Sequence, residues 1–205
     1  ALSYVVSSSN SNPVAGEVWV EGTELHWADG STEYNTRTGI GQAGIQGGLN
    51  DNHWYSASLE SSLYGNKPIV LATTQTTYGS QNPSQAHVRS VSRSGFEQQH
   101  CEWDSSDTCD GHSEETQAWM ALDPQKINNN VAGMQAGTNT MGSSGDGNIQ
   151  NVNFPSSFSN TPLVFAAPNT ENGNDEPINV QIDNVGTSSF DMEFCEQEGS
   201  DSCDS

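Results

Sequence analysis

The chain has 205 residues, of which 26 are acidic, five are basic and 32% are hydrophobic, giving a formal net charge of −21. That balance excludes a surface built for nucleic-acid phosphates or anionic lipids, both of which need Lys and Arg. No apolar stretch approaches the ~20 residues of a membrane helix, so no membrane insertion is expected, and no secretory leader is visible.

The acids are spread along the chain rather than gathered in one block. Such a surface fits high salt, where screening removes self-repulsion and dense carboxylates keep a protein hydrated. A halophilic source, an archaeon or a virus of one, is the expectation. A cation-attracting surface is the alternative.

In chain order, ALSYVV (1–6) reads as an apolar strand and SSSNSNPVAG as a polar linker. EVWVEGTELHWADGSTEY then alternates apolar and polar residues around a hairpin-type turn at Ala28-Asp29-Gly30-Ser31, a small β-meander. It is read as a docking element without chemistry. Further strands are expected at HWYSASLE (53–60), IVLATTQT (69–76), HVRSVS (87–92), FEQQHCEW (96–103) and ETQAWMAL (115–122). The set recurs as NIQNVNF (148–154), LVFAAPNT (163–170), NVQIDNV (179–185) and FDMEFCEQ (190–197). No segment sustains a 3.6-residue period, so the fold class is all-β. Two tandem antiparallel β-sandwich modules after a small N-terminal β-element fit the spacing.

Cys101 and Cys109 lie eight positions apart, as do Cys195 and Cys203, and the second pair is displaced by 94 from the first (195 − 101 and 203 − 109). KPIVLATTQT (67–76) aligns with TPLVFAAPNT (161–170) at 94, and Phe96 with Phe190 at 94. AHVRSV (86–91) aligns with INVQID (178–183) at 92, which implies a loop two residues shorter. AGIQGG (43–48) aligns with AGMQAG (132–137) at 89. The expected organisation is therefore 1–39 as docking element, 40–124 as module one, and 129–205 as module two, incomplete at its C-terminus. The cysteines are expected as two local disulfides, Cys101–Cys109 and Cys195–Cys203, formed in an oxidising compartment. Zinc at Cys101, Cys109, His100 and His112 is the alternative, but the second pair has Phe194 and no following His.

KPIVLATTQTTYGS, AHVRSVSRSGF and CEWDSSDTCDGHSEETQAWMALDP together resemble the H-type lectin domain over about 55 residues of module one. Module two keeps the first two motifs as TPLVFAAPNTENGNDEP and NVQIDNVGTSSF. Its CEQEGSDSCDS lacks the Trp, and the strand after it is absent. The resemblance implies a non-enzymatic carbohydrate-binding or adhesion domain, trimeric, with sites near subunit contacts. Sugar recognition needs planar donors and acceptors beside an aromatic platform. Arg89, Trp103, Asp104, Asp110 and His112 are the candidate contacts. Each has a structural alternative: Trp103 as a core or interface aromatic, Arg89 as a partner of one of many carboxylates, and Asp104, Asp107 and Asp110 as solvated loop acids. Those three aspartates are also a weak Ca²⁺ candidate, lacking the glycine and terminal glutamate of an EF-hand. His112 with Glu115 reads as a hydrogen-bonded pair orienting the last strand.

No nucleophile motif, phosphate loop or helical His pair is present, so no enzyme is expected. With 26 acids, a pair of carboxylates discriminates nothing. The expected function is a surface adhesion protein touching cell-surface glycans, a tail-fibre or spike component of a virion, extracellular or at the virion surface. The alternative is a filament or surface-layer subunit in which ALSYVV fills a neighbour's open sheet, giving a head-to-tail polymer.

Overall fold

The computed structural model describes residues 18–21, 24–28, 33–35, 40–50, 53–76, 84–102, 114–131, 133–140, 149–169 and 178–196. Its strands all pair antiparallel. The fold is all-β, as the alternation in the sequence predicts. The meander comes first: β1 (Val18–Glu21), β2 (Glu24–Ala28) and β3 (Glu33–Asn35) form a sheet in the order β1-β2-β3. ALSYVV lies outside the described residues.

Six strands follow: β4 (Gly41–Leu49), β5 (Tyr55–Ser58), β6 (Ile69–Thr74), β7 (Ser84–Ser92), β8 (Gly95–Glu102) and β9 (Glu115–Leu122). They make two sheets, β4-β9-β6 and β5-β8-β7. Between the sheets Ala57, Leu59, Tyr64, Val70, Val88, Val91, Phe96 and Ala121 form one buried cluster, with Trp119 packed against it. Phe96 and Trp119 meet edge to face, centroids 5.2 Å apart. This is a sandwich core built from alternate residues of both sheets. Towards the Cys101 end the interior turns polar. Gln98, His100, Glu115 and Gln117 are buried there. Gln98 Nε2 donates to Gln46 Oε1 at 2.6 Å, Gln117 Nε2 to the Gln99 carbonyl at 3.1 Å, and the Thr76 hydroxyl to Glu115.

Two elements were not legible as such. β4 is the Gly-rich AGIQGG run, a composition that weakens strands. It is a strand because it ladders onto β9, from Gly41↔Leu122 to Leu49↔Glu115, and residue 44 is glycine where an added Cβ would stand 2.4 Å from the Trp119 indole. The short helix α1 (Pro124–Asn130) is set by its cap rather than by periodicity. The buried Asp123 Oδ1 accepts from the Gln125 and Lys126 N–H groups, while its Oδ2 accepts from Gly65 N–H at 2.7 Å. Pro124 follows at the first helical position, which needs no N–H. Ile127 and Val131 then pack with Ile40 and Leu122 on the outer side of the β4-β9-β6 sheet.

The last sheet has the order β10-β12-β11, from β10 (Gln150–Asn153), β11 (Ile178–Asp183) and β12 (Ser189–Glu196). It has the pairing of β5-β8-β7. Ala57 opposes Phe96 as Val152 opposes Phe190, and Val88 opposes Gln98 as Ile182 opposes Met192. The left-handed residue after β7's Arg89, Ser90 (φ 51°), has its counterpart in Asn184 (φ 49°) after Asp183. These registers put β11 at a displacement of 94 from β7 (182 − 88), not the 92 of the sequence alignment, so the partner of Arg89's position is Asp183. Phe154 meets Phe158 edge to face at 5.0 Å and packs on Phe190, tilted, at 5.4 Å.

The expected strand at 163–170 does not form; 161–169 runs without strand pairing. In the first unit the matching residues are β6, which ladders onto β9. Among the described residues no strand plays β9's part beside 161–169, and a strand sequence without a neighbour has nothing to ladder on.

Candidate functional site

Alternation along β7 and β8 decides the two faces of their sheet. Val88 and Phe96 point into the core. Arg89 and Glu97, one position on and register partners, therefore share the outer face. Arg89 Nε donates to Glu97 Oε2 at 2.9 Å, and both side chains keep about a third of their surface in solvent. The guanidinium carbon sits 3.9 Å above the ring centroid of Trp54, the residue just before β5. The hydrogen bonds from Arg89 and then Ser90 hold the Glu97 carboxyl below the usual carboxylate range. Indole, guanidinium and carboxylate thus form a half-exposed stack. It offers guanidinium N–H donors, carboxylate acceptors and an apolar ring edge in one patch. Trp54 was not among the residues singled out from the sequence. The only signal for it is a tryptophan inside the predicted strand 53–60, with nothing to say which side chain of another segment it meets.

Further along the same face His87 and Gln99 are buried. His87 Nε2 accepts from the Ile178 N–H at 3.1 Å and from the Gln85 side-chain amide at 2.9 Å. Two donors on Nε2 leave the proton of the neutral ring on Nδ1. Burial, and secondarily the nearby His100, pushes the His87 pKa down to about 4. The ring therefore acts as a neutral joint between β7 and β11. A second joint lies at the free edge of β6, where the Asn169 side chain accepts from Val70 N–H at 3.0 Å and donates to Val70 C=O at 2.9 Å. Between the joints lies a crevice of about 220 Å³ lined by Thr74, Gln85, Ala167, Asn179 and neighbours.

The counterpart of the Arg89 stack on β10-β12-β11 has other chemistry. Asp183 takes the place of Arg89 and Asp191 that of Glu97, again as register partners. Asn151 and Asn184 donate to the Asp191 carboxylate at 2.8 and 2.9 Å, which holds its pKa low. Ile149, at the position of Trp54, is 60% exposed. The loose sequence counterpart Gln181 is not the structural one.

Of the five residues expected to touch sugar, the structure places Arg89. Trp103, Asp104, Asp110 and His112 lie outside the described residues, as do Asp107, Cys109 and Cys203. Among the described residues no three His, Cys, Asp or Glu side chains are grouped to hold a metal ion. No helix among them is long and apolar enough to cross a membrane.

The phenylalanine cluster and the β10-β12-β11 register fall in one matched stretch. Residues 149–204 match the family model of the H-type lectin domain. The match covers just over a quarter of the chain and lies on the second unit, whereas the sequence motifs quoted for this family are fuller in the first. The H-type lectin domain is a non-enzymatic, carbohydrate-binding family of surface proteins. No curated protein and no solved structure matches the chain.

Proposed function

We propose that the protein is a non-enzymatic surface adhesion protein that binds glycans through the outer face of β5-β8-β7. The observation that carries this reading is the half-exposed stack of Trp54, Arg89 and Glu97. It supplies fixed donors, fixed acceptors and an aromatic edge, the three things a sugar's hydroxyls and apolar face require. The stack holds the guanidinium in place before a ligand arrives, so less side-chain entropy is lost on binding. The loop residues Trp103, Asp104, Asp110 and His112 extend the proposed surface, with the module limits 40–124 and 129–205.

The finer parts of the reading rest on composition and on the family match. Acids spread over the chain support a halophilic source. A tail-fibre or spike role in a virus of halophilic archaea fits adhesion without catalysis, as does trimeric assembly. Cys101 is buried and disulfide-bonded, which supports the bridge Cys101–Cys109 and, by the repeat, Cys195–Cys203. Such a bridge would fix the loop beyond β8 and stabilise the fold by about 2–3 kcal/mol on the chain-entropy model.

The test is a glycan array and an envelope-binding assay with cells of the native environment, both in molar salt. Binding by the chain that Trp54→Ala weakens about tenfold or more supports the proposal. Absence of binding to every glycan and to the envelope, by a chain shown to be folded, overturns it.

A further inference from the structure

Register gathers four polar side chains in one layer of the first sandwich. Gln46 on β4, Gln117 on β9 and Thr74 on β6 stand opposite one another across the β4-β9-β6 sheet. Directly paired residues share a face. Trp119 and Ala121, two and four residues beyond Gln117, pack in the core, so Gln117 and both of its partners point inward. Gln98 enters the same gap from the facing sheet, two residues beyond the core residue Phe96.

Two hydrogen bonds fix how the amides point. Gln98 Nε2 crosses the gap to Gln46 Oε1 at 2.6 Å, and Gln117 Nε2 crosses it to the Gln99 carbonyl at 3.1 Å. A backbone carbonyl only accepts, so the nitrogen of Gln117 must face it. Both amide nitrogens are thereby engaged. Gln98 Oε1 and Gln117 Oε1 remain in the gap, and neither has a hydrogen-bond partner among the described residues. The hydroxyl oxygen of Thr74, beside Gln117, is also buried and unpartnered. Both glutamines are 0% exposed, so bulk water does not reach their oxygens. Folded proteins rarely leave such atoms unpaired.

We propose that Gln98 Oε1, Gln117 Oε1 and the Thr74 hydroxyl oxygen hold one monovalent cation, Na⁺ or K⁺, between the two sheets, with water completing its shell. The donor set selects this class. All three are neutral oxygens, the ligands that replace the hydration shell of an alkali ion. Zinc needs thiolate or imidazole groups and calcium needs carboxylates. Among the described residues no three His, Cys, Asp or Glu side chains are grouped to supply them. Charge favours a cation over a neutral guest. The chain carries −21, and Glu115, two residues before Gln117 on the same face of β9, is buried in the same interior, where it accepts from Thr76. Thr74 also lines the crevice of about 220 Å³ beside β6 and β7, whose Ala72, Ala86 and Ala167 walls are small. An ion entering there meets Thr74 first, then Gln117, then Gln98. The site lies behind the sheet that carries the Trp54–Arg89 stack, and it stands whether or not that stack binds a sugar.

Thermal unfolding of the full chain at fixed ionic strength tests this, with NaCl or KCl replacing choline chloride step by step. Screening of the surface acids then stays constant, so a response reports a bound ion. The wild-type midpoint should rise with Na⁺ or K⁺, and the folding constant should gain about tenfold for each tenfold in cation above its Kd. Gln117→Met keeps the side chain's length without its carbonyl and should lose the response. Thr74→Val keeps the shape without the hydroxyl. It should raise the apparent Kd about tenfold or more, as damage to a metal's surroundings does, and it serves alone if Gln117→Met unfolds. A midpoint that stays flat as Na⁺ and K⁺ replace choline overturns the proposal and leaves water in the gap. So does a response that the folded variants leave unchanged, which would place the ion on the acidic surface.

Discussion

Arg89 and Asp183 stand at one register position in two sheets of the same pairing pattern, with opposite charge. The change runs through the whole patch. Trp54 is matched by Ile149, Glu97 by Asp191, and the partner of the carboxylate is a guanidinium in one sheet and two amides in the other. One scaffold therefore presents a donor-rich stack on one face and an acceptor-rich patch on its counterpart. Glycan binding should follow the first. Arg89→Ala and Trp54→Ala are each expected to weaken it about tenfold or more, the range of a lost cation–π and stacking contact. Asp183→Asn should leave it unchanged. Titration of an array hit by calorimetry reads both, and equal effects from the two faces would contradict the assignment.

His87 should make stability fall as pH falls. Its folded pKa is depressed to about 4 from an ordinary 6.5. Between those values the unfolded chain binds the proton and the folded chain does not, so acidification favours unfolding. The loss begins near pH 6.5 and is complete below about pH 4, with a total of roughly 3 kcal/mol. Urea midpoints measured from pH 7 to 4 should decline more steeply for the wild type than for His87→Gln. Parallel slopes would show that other groups carry the dependence.

Asp123 joins three N–H donors from two segments while buried. Replacement by Ala strands all three, and a loss of about 2–3 kcal/mol is expected from the missing cap and the unsatisfied donors. Asp123→Asn keeps one acceptor oxygen and should lose about 1 kcal/mol. Equilibrium urea denaturation distinguishes the two, provided the slope of the transition is unchanged.

Gly44 exists for Trp119. An added Cβ would lie 2.4 Å from the indole, which in turn packs edge to face on Phe96. Gly44→Ala is therefore expected to displace the ring and cost about 1–3 kcal/mol, as overpacking does. Gly137, with open space around its Cβ position, is the control. Near-ultraviolet circular dichroism should change for the first substitution alone.

The alternation of Val88 with Arg89 and of Phe96 with Glu97 is visible in the sequence, and it decides which residues face the core and which face solvent. So is the recurrence of that pattern 94 residues later, since β8 and β12 keep a phenylalanine at the same step. These are local properties of a pleated chain, where successive side chains must point to opposite faces. Arg89 was legible as a candidate through its chemistry, a planar donor on a strand of the unit that resembles a lectin.

What needed the tertiary structure was every relationship between segments distant in sequence. That Trp54 lies under Arg89, that Gly44 lies under Trp119 and that Asn169 closes the edge of Val70 are facts of packing. No periodicity encodes them. The clearest case is 161–169. Its sequence carries the strand pattern of β6, and the pattern is followed by an extended but unpaired chain. A strand is completed by hydrogen bonds to a neighbour, so the residues determine the capacity to form one, and the presence of a partner decides whether it forms.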